Sequence, residues 1–253
     1  MKDLDYLSEY AIKAAKIAGD HLLSATANEP FNIKKDHHSG LDYATETDIQ
    51  CENMIRDILK HTNIPVYGEE LLGADPSTNI SWIVDPLDGT LNWANNIPIY
   101  AVSIALAEYG NPLLGVIYIP SLAKMYHGSV SQKATCNNSP IEVTSAPLLE
   151  SVIACDLHIT SNDPLIYKIK NQAARVRLLG SSAYELALAA EGSLAAVISP
   201  YAKFHDIAAG IAIINASSGV ALSIDGTNYK PASGSVIAGS KESVYQLIKA
   251  INS

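Results

Sequence analysis

The 253-residue sequence predicts a mixed α/β protein, and the alternation of two kinds of segment supports this prediction. Short apolar runs bounded by turn residues are typical of buried strands, and they alternate with longer segments of helical periodicity. Strand-like runs follow one another in the first half, whereas strands and helices alternate in the second. We therefore expect an α/β (or α+β) fold in two parts, residues 1–148 and 149–253, with no flexible linker between them.

The first part is expected to begin with two helices, which are followed mostly by strands. The predicted elements are a helix over 4–23, a loop or hairpin over 29–41, a helix from Thr45 or Thr47 to about His61, strands over 65–68 and 80–84, a short helix from 89, and strands over 99–108, 113–119 and 124–130. Leucines and alanines recur on one face of the first helix, and Tyr109-Gly110-Asn111-Pro112 is a turn signal between two apolar runs.

The second part mixes strands with helices of small apolar residues. Strands are predicted over 152–154, 176–178, 194–198 and 236–238, and helices over 184–190, 206–217 and 241–251. This alternation, unlike the strand series before it, indicates a separate sheet with its own covering helices.

Composition excludes several classes of protein. The net charge of −9 argues against binding of a nucleic-acid polymer, and no run of about 18 apolar residues predicts a membrane helix. The three cysteines are widely spaced and form no CxxC pair, so neither a disulfide framework nor a zinc site is indicated. The N-terminal segment is an amphipathic helix rather than a signal peptide, which makes the cytoplasm the expected location.

Residues 82–90, WIVDPLDGT, contain the most informative pattern in the chain. An apolar strand runs directly into Asp85 and Asp88, and Gly89 and Thr90 then open a short helix. Mg²⁺ prefers a few carboxylates together with phosphate oxygens, and free amides at a helix start favour an anion. The segment therefore indicates metal-assisted phosphate chemistry.

Other acids also end strands or begin helices, namely Asp48, Glu69, Glu70 and Asp206. Each has an ordinary interpretation when taken alone, as a first-turn helix acid or as part of a solvated acidic loop. His37 and His38 lie in a polar loop and are expected to be exposed. The chain has no GxSxG motif and no P-loop, which argues against a nucleophilic serine and against P-loop nucleotide hydrolysis.

Taken together, four motifs resemble the inositol monophosphatase family, within the lithium-sensitive, Mg²⁺-dependent phosphatase superfamily. The central signature is WIVDPLDGTLNW, and the others, in matching order, are DYATETD at 42–48, GEE at 68–70 and HDIAAG at 205–210. The resemblance spans about residues 4–219. It implies a five-layered αβαβα sandwich of the sugar-phosphatase type, usually as a homodimer, that binds two to three Mg²⁺ ions per site.

The resemblance also implies roles for individual residues. The first metal would be bound by Glu69, Asp85 and the Leu87 carbonyl, the second by Asp85, Asp88 and Asp206, and a weaker third by Glu69 with Asp48 through water. The phosphate would be bound beside Asp88 by the Gly89 and Thr90 amides, and Thr90 with Asp48 would position the attacking water. Lys34 or Lys35 would contact the phosphate or gate the third metal, or would simply be solvated.

Two departures from the family pattern concern the substrate. His205 stands where the family usually has Trp, and Ser199 stands where inositol-specific members have Glu. Ser182 lies in a segment that fits the substrate-side helix start, and the resemblance implies that Ser182 and Ser199 contact the substrate. The resemblance thus implies a small polyol or sugar phosphate as substrate. Fructose 1,6-bisphosphate, 3′-phosphoadenosine 5′-phosphate and histidinol phosphate remain alternatives, as does a catalytically silent homologue, against which the presence of all five metal-site acids argues.

Overall fold

A computed structural model describes residues 3–25, 32–36, 40–73, 75–77, 79–156 and 164–253, and gives only the backbone of 32–36 and 40–43. The helices in these residues are α1 (Leu4–Ser24), α2 (Glu46–Leu59), α3 (Thr90–Ala94), α4 (Pro164–Ile169), α5 (Ser182–Ala190), α6 (Phe204–Ala216) and α7 (Lys241–Ile251). The strands are β1 (Asn32–Asp36), β2 (Gly40–Ala44), β3 (Val66–Gly68), β4 (Ile80–Asp88), β5 (Ala101–Glu108), β6 (Asn111–Ile119), β7 (Lys124–Ser129), β8 (Gln132–Cys136), β9 (Ser139–Pro140), β10 (Val152–Cys155), β11 (Arg175–Arg177), β12 (Ala196–Ser199), β13 (Val220–Leu222) and β14 (Val236–Gly239).

Strands β3 to β9 form a seven-stranded sheet in sequence order. Strand β3 is parallel to β4, and all the later pairs are antiparallel. The β5–β6 hairpin turns through Tyr109 and Gly110, whose φ angles of 49° and 75° are those of the two-residue turn that matches the twist of paired strands. The predicted turn at 109–112 is therefore confirmed.

The second sheet has five strands in the order β11-β10-β12-β14-β13. Its first three strands are parallel, and β14 runs antiparallel to both β12 and β13. The two strands β1 and β2 pair separately as an antiparallel hairpin. The segment 29–41 thus contains part of a hairpin, while His37 and His38 lie outside the described residues.

Both faces of the seven-stranded sheet are buried at β4, β5 and β6, which explains why these central strands are largely apolar rather than alternating. In β5, Val102, Ile104 and Leu106 pack on one side with α1 and α2, whereas Ala101, Ala105 and Ala107 pack on the other with α5 and α6. On this second side the helix comes very close, since a Cβ at Gly115 would lie 2.1 Å from the Ala209 carbonyl oxygen.

A third core lies between the five-stranded sheet and the outer helices α4 and α7, with Ile153, Leu165 and Leu247 among its members. The order of layers is therefore α1/α2, seven-stranded sheet, α5/α6, five-stranded sheet, α4/α7, which confirms the five-layered αβαβα sandwich. The middle core contains residues from both sides of residue 148, and the division of the chain there stays a prediction.

Four of these elements were absent from the sequence prediction: β8, β9, α4 and β13. Strand β8 has the polar sequence QKATC, with only Ala134 buried, and α4 has just six residues, too few to show a helical period. All three cysteines are free, as predicted, with Cys51 and Cys155 buried. Among the described residues, no helix is both long and apolar enough to cross a membrane.

Candidate active site

The site lies at the end of β4, where a bulge turns two acids to the same face. Asp85 pairs with Ser103 and Asp88 with Ala101, so three steps along β4 correspond to two along β5. Residues two apart in β5 share a face, and the bulge therefore places Asp85 and Asp88 together on the side of α6. The backbone N–H of Leu87 donates to Asp85 Oδ1 (3.0 Å), which fixes the buried carboxylate.

Glu69 reaches the same point from the neighbouring strand β3. Its backbone N–H donates to the Val84 carbonyl at 3.1 Å, next to Asp85 in sequence. Besides burial, the charge of Glu69 raises the pKa of Asp85. The two carboxylates therefore lie close to each other.

Glu52, on α2, was not among the predicted site residues, yet it positions the loop that carries Glu69. Its buried carboxylate accepts from the Glu70 backbone N–H (2.8 Å) and from Arg56 Nε (2.7 Å). A Cβ at Gly68 would lie 2.0 Å from Glu52 Oε1, so this contact requires glycine. The only signal in the sequence was the i,i+4 spacing of Glu52 and Arg56, which is common on exposed helix faces.

Asp206 enters the site from the first turn of α6, together with the preceding His205. His205 Nε2 lies 3.1 Å from Asp206 Oδ1 and 3.6 Å from Glu69 Oε1, and Lys203 Nζ lies 4.0 Å from Glu69 Oε1. Donor atoms of Glu69, His205 and Asp206 all lie within 4.8 Å of one another. The His205 contacts are too long or too poorly aligned for hydrogen bonds, so attraction between charges dominates them.

Asp88 is bound to the start of α5. Its Oδ2 accepts from Ser181 Oγ and from the Ala183 backbone N–H, both at 2.6 Å, and Ser181 is also the N-cap of α5. Ser181 was missed in the sequence, because it is an ordinary helix cap there. Ser182, which is predicted to lie on the substrate side, donates to Asp156 Oδ2 at 2.6 Å.

Asp48 and Thr90 form the remaining pair. Thr90 Oγ1 lies 3.0 Å from both Asp48 Oδ1 and the Leu87 carbonyl oxygen. Asp48 Oδ2 accepts from the backbone N–H of Thr45, the N-cap of α2. Asp48 therefore has two roles: it caps the first turn of α2 through Oδ2 and contacts Thr90 through Oδ1. Gly89 has φ +92°, and a Cβ there would lie 2.9 Å from the Ile99 carbonyl, which explains the glycine before Thr90.

The acids at the centre repel one another. Burial and the neighbouring carboxylates raise the pKa of Asp85 and of Asp88 well above the ordinary value, and burial raises the pKa of Asp206 to about 7. Glu69 is the exception: burial favours its neutral form, but His205 and Lys203 lower its pKa to about 2. Burial opposes the charge of His205, yet Asp206 and Glu69 raise its pKa to about 9.

Burial also raises the pKa of Asp48, to about 6, against the hydrogen bonds from Thr45 and Thr90 that lower it. Four converging carboxylates and one peptide carbonyl are oxygen donors of the kind that divalent Mg²⁺ takes. Their mutual repulsion is a property of this fold that a bound cation would relieve. The residues therefore fit a divalent metal centre.

The structure brings together nearly all of the predicted site residues, namely Asp48, Glu69, Asp85, Leu87, Asp88, Gly89, Thr90 and Asp206. Ser199 ends β12, where it is fully buried, and its Oγ has no hydrogen-bond partner among the described residues. The side chains of Lys34 and Lys35 lie outside the described part of the chain. The substrate roles of Ser182 and Ser199 stay predictions.

Comparison with known proteins agrees with this site. A model of the inositol monophosphatase family matches residues 3–253. The inositol-1-monophosphatase of Mesorhizobium japonicum is 33% identical over 251 residues, covering 95% of this chain and 94% of that protein.

Two solved structures superpose on nearly the whole chain. The inositol monophosphatase of Anabaena (Nostoc) sp. PCC 7120 is 25% identical, with a TM-score of 0.86 and coverage of 98% of this chain and 96% of that one. The extragenic suppressor protein suhB of Bartonella henselae is 26% identical, with a TM-score of 0.89 and coverage of 97% and 98%. The chain belongs to the inositol monophosphatase family, a family of metal-dependent phosphoric monoester hydrolases, and the predicted resemblance is confirmed.

Proposed function

We propose that this member of the inositol monophosphatase family is a Mg²⁺-dependent phosphomonoesterase that hydrolyses a small polyol or sugar phosphate with an activated water. The observation that supports the proposal most strongly is the convergence of Glu69, Asp85, Asp88 and Asp206 beside the Asp48–Thr90 pair. Three separate elements of the fold supply these acids. Four carboxylates that repel one another destabilise the metal-free fold, so their convergence favours a role in binding a cation.

Two overlapping donor sets would bind the metal. Glu69, Asp85 and the Leu87 carbonyl form one set, and Asp85, Asp88 and Asp206 form the other, so Asp85 is shared. When bound, Mg²⁺ supplies a water of lowered pKa and compensates the charge that develops on the phosphoryl and leaving oxygens.

The protein's own contribution to the proton transfer is the Thr90–Asp48 pair. When Thr90 Oγ1 donates its single proton to Asp48 Oδ1, its lone pairs are free to accept a proton from the attacking water. Asp48, with a pKa of about 6, is ionised at neutral pH and can receive that proton through Thr90. The pair thus orients the water and moves its proton, without a covalent nucleophile.

The phosphate would lie at the turn after β4. We propose that the Gly89 and Thr90 amides receive it beside Asp88, since the backbone at Gly89 is held open by a conformation that needs glycine. Ser182 and Ser199 would contact the rest of the substrate. A serine at 199 binds a polyol less strongly than a carboxylate would, so inositol itself is not the necessary substrate.

A panel of substrates tests this proposal. Phosphate release should be measured from inositol 1-phosphate, fructose 1,6-bisphosphate, 3′-phosphoadenosine 5′-phosphate and histidinol phosphate, each with Mg²⁺ and with EDTA. We expect turnover of a polyol or sugar phosphate that EDTA abolishes. Activity that survives EDTA would contradict the metal mechanism.

The same panel decides the alternative substrates of this fold. A tenfold preference for the nucleotide, about 1.4 kcal/mol in transition-state binding, would replace the polyol with a 3′-phosphonucleotide. No turnover of any substrate despite metal binding would favour a catalytically silent homologue. The presence of all five metal-site acids argues against that alternative. The homodimer and inhibition by lithium stay predictions from family membership, and the cytoplasmic location stays a prediction from the sequence.

A further inference from the structure

We propose that His205 is itself a metal ligand: its Nε2 binds a divalent ion together with Glu69 and Asp206, at a position between the two donor sets assigned above. The site would then bind Mn²⁺ more tightly, relative to Mg²⁺, than the same acids alone. This inference deepens the proposed function, because it rests on the metal centre assigned there, but it concerns a residue to which the family pattern gives no such role.

The geometry around Nε2 carries the argument. The atom lies 3.1 Å from Asp206 Oδ1 and 3.6 Å from Glu69 Oε1. Adjacent donors of an octahedral ion are about 3 Å apart when each bond is about 2.1 Å long. The three donor atoms therefore have the spacing of ligands that share one ion.

His205 Nε2 is also shielded from solvent and makes no hydrogen bond among the described residues, so in the metal-free site it has only its charge contacts with Asp206 and Glu69. A bound divalent ion would displace the proton of the imidazolium to solvent and use the lone pair that this proton occupied. Its backbone is fixed, because the His205 carbonyl accepts from Ser103 Oγ at 3.3 Å, and Ser103 is paired with Asp85 across the sheet. The ring is thus aimed between two predicted metal ligands rather than placed there by a loose surface loop.

The chemistry of the donors decides which ion gains. Mg²⁺ prefers oxygen ligands, whereas imidazole suits ions further along the first transition series. Replacing one oxygen or water by an imidazole nitrogen therefore changes the selectivity of the site more than its total affinity. Lys203, the other cation near Glu69, has no lone pair while protonated and cannot take this role.

Pulsed EPR of the wild-type protein with one equivalent of Mn²⁺ tests the ligand directly. We expect nuclear modulation from a directly bound ¹⁴N, and its loss in His205→Gln. His127→Gln is the matched control, because His127 is also buried with an unpartnered Nε2 but lies on β7, outside the cluster. That control should retain the nitrogen signal.

Calorimetric titration provides the second readout. We expect His205→Gln to weaken Mn²⁺ binding at least about tenfold and Mg²⁺ binding by less than about threefold. Tight Mn²⁺ binding by the wild-type protein without ¹⁴N coupling would overturn this inference and leave the proposed function intact. It would mean that the imidazole is only a counter-ion of the two acids. Absence of any Mn²⁺ or Mg²⁺ binding would overturn both.

Discussion

Thr90 has one hydroxyl proton and two acceptors at the same distance, Asp48 Oδ1 and the Leu87 carbonyl. Thr90→Val retains the shape of the side chain and removes the path by which a water proton reaches Asp48. We expect kcat to fall at least about hundredfold, the usual contribution of a positioned proton acceptor, while stability changes by about 1 kcal/mol or less. Steady-state kinetics and thermal melting measure the two effects.

Thr90→Ser is the control, because it restores the hydroxyl, and it should recover most of the activity. The valine variant should also move the acidic limb of any residual activity to higher pH, since it removes a hydrogen bond that lowers the pKa of Asp48. Full activity of Thr90→Val would show that the water is positioned by other groups.

Asp85 is the carboxylate shared by both proposed donor sets, and burial together with Glu69, Asp88 and Asp206 raises its pKa. In Asp85→Asn we expect turnover below about 1% of wild type, because transition-state stabilisation through both metal positions weakens. The melting temperature in EDTA should stay the same or rise, because a repelled charge is gone, while the stabilisation by added Mg²⁺ should shrink.

Asp57→Asn is the matched substitution at an exposed aspartate of α2 that pairs with Lys60. It should leave both turnover and the response to Mg²⁺ unchanged. A near-normal rate in Asp85→Asn would contradict the shared role.

Single residues were predictable where their role follows from a local pattern. Asp85 and Asp88 stand out because two acids end an apolar strand, whereas Asp48 and Asp206 have ordinary helical explanations and were identified only by family resemblance. Glu52 and Ser181 were not predicted, because their roles depend on contacts between segments far apart in sequence. Glu52 accepts from the Glu70 backbone N–H, and Ser181 donates to Asp88.

At the scale of elements, the loop after β3 depends on α2 through Glu52. Glu52→Ala would remove the buried carboxylate that accepts from the Glu70 backbone N–H and from Arg56 Nε. Breaking a buried, hydrogen-bonded ion pair costs about 3 kcal/mol, so we expect a melting temperature lower by about 6 to 12 °C. The loop bears Glu69, and metal affinity should therefore fall as well.

Glu46→Ala provides the comparison, since Glu46 lies in the same helix but is exposed. It should change stability by about 0.5 kcal/mol or less. If both variants melted alike, the contact between Glu52 and the loop would contribute nothing to the fold.

Elements with strong periodicity were predicted within a few residues, as α1, β4 and α7 show. The strand β8 was missed because a strand with one buried residue lacks the apolar run that marks the central strands of this sheet. The helix α4 was missed because six residues are too few to show a helical period. Helix α5 begins at Ser182, two residues before its predicted start, because its cap is the polar Ser181 that also binds Asp88.

At the scale of the whole molecule, the layered fold was predictable only through the resemblance. Local patterns indicate strands and helices, but they do not show that α5 and α6, from the second part of the chain, pack on the sheet of the first. That packing is what brings Asp206 to Asp85 and Asp88, across more than 100 residues of sequence. It also concentrates negative charge at the centre of the molecule.

This concentration predicts how the metal-free protein responds to pH. The folded pKa is raised for Asp48 to about 6, for Asp206 to about 7, for Glu185 to about 8 and for His205 to about 9, so each group binds its proton more tightly when folded. Stability from such groups is present below their unfolded pKa and is lost as pH rises through the folded pKa. Glu69 behaves in the opposite way, because its pKa is lowered to about 2: its contribution to stability is lost only at acidic pH, as the pH falls towards that value.

We therefore expect the melting temperature in EDTA to fall steadily from pH 5 to pH 9. Added Mg²⁺ competes with protons for the same carboxylates, so its stabilisation should be larger at pH 8 than at pH 5.5, by about 4 °C or more. Scanning calorimetry at constant ionic strength measures both trends. Asp206→Asn, which removes one of the raised groups and one proposed ligand, should flatten the first trend and weaken the second. A melting temperature in EDTA that rose with pH would mean that these acids are not repelled in the folded protein, and the case for a metal centre built on their repulsion would fail.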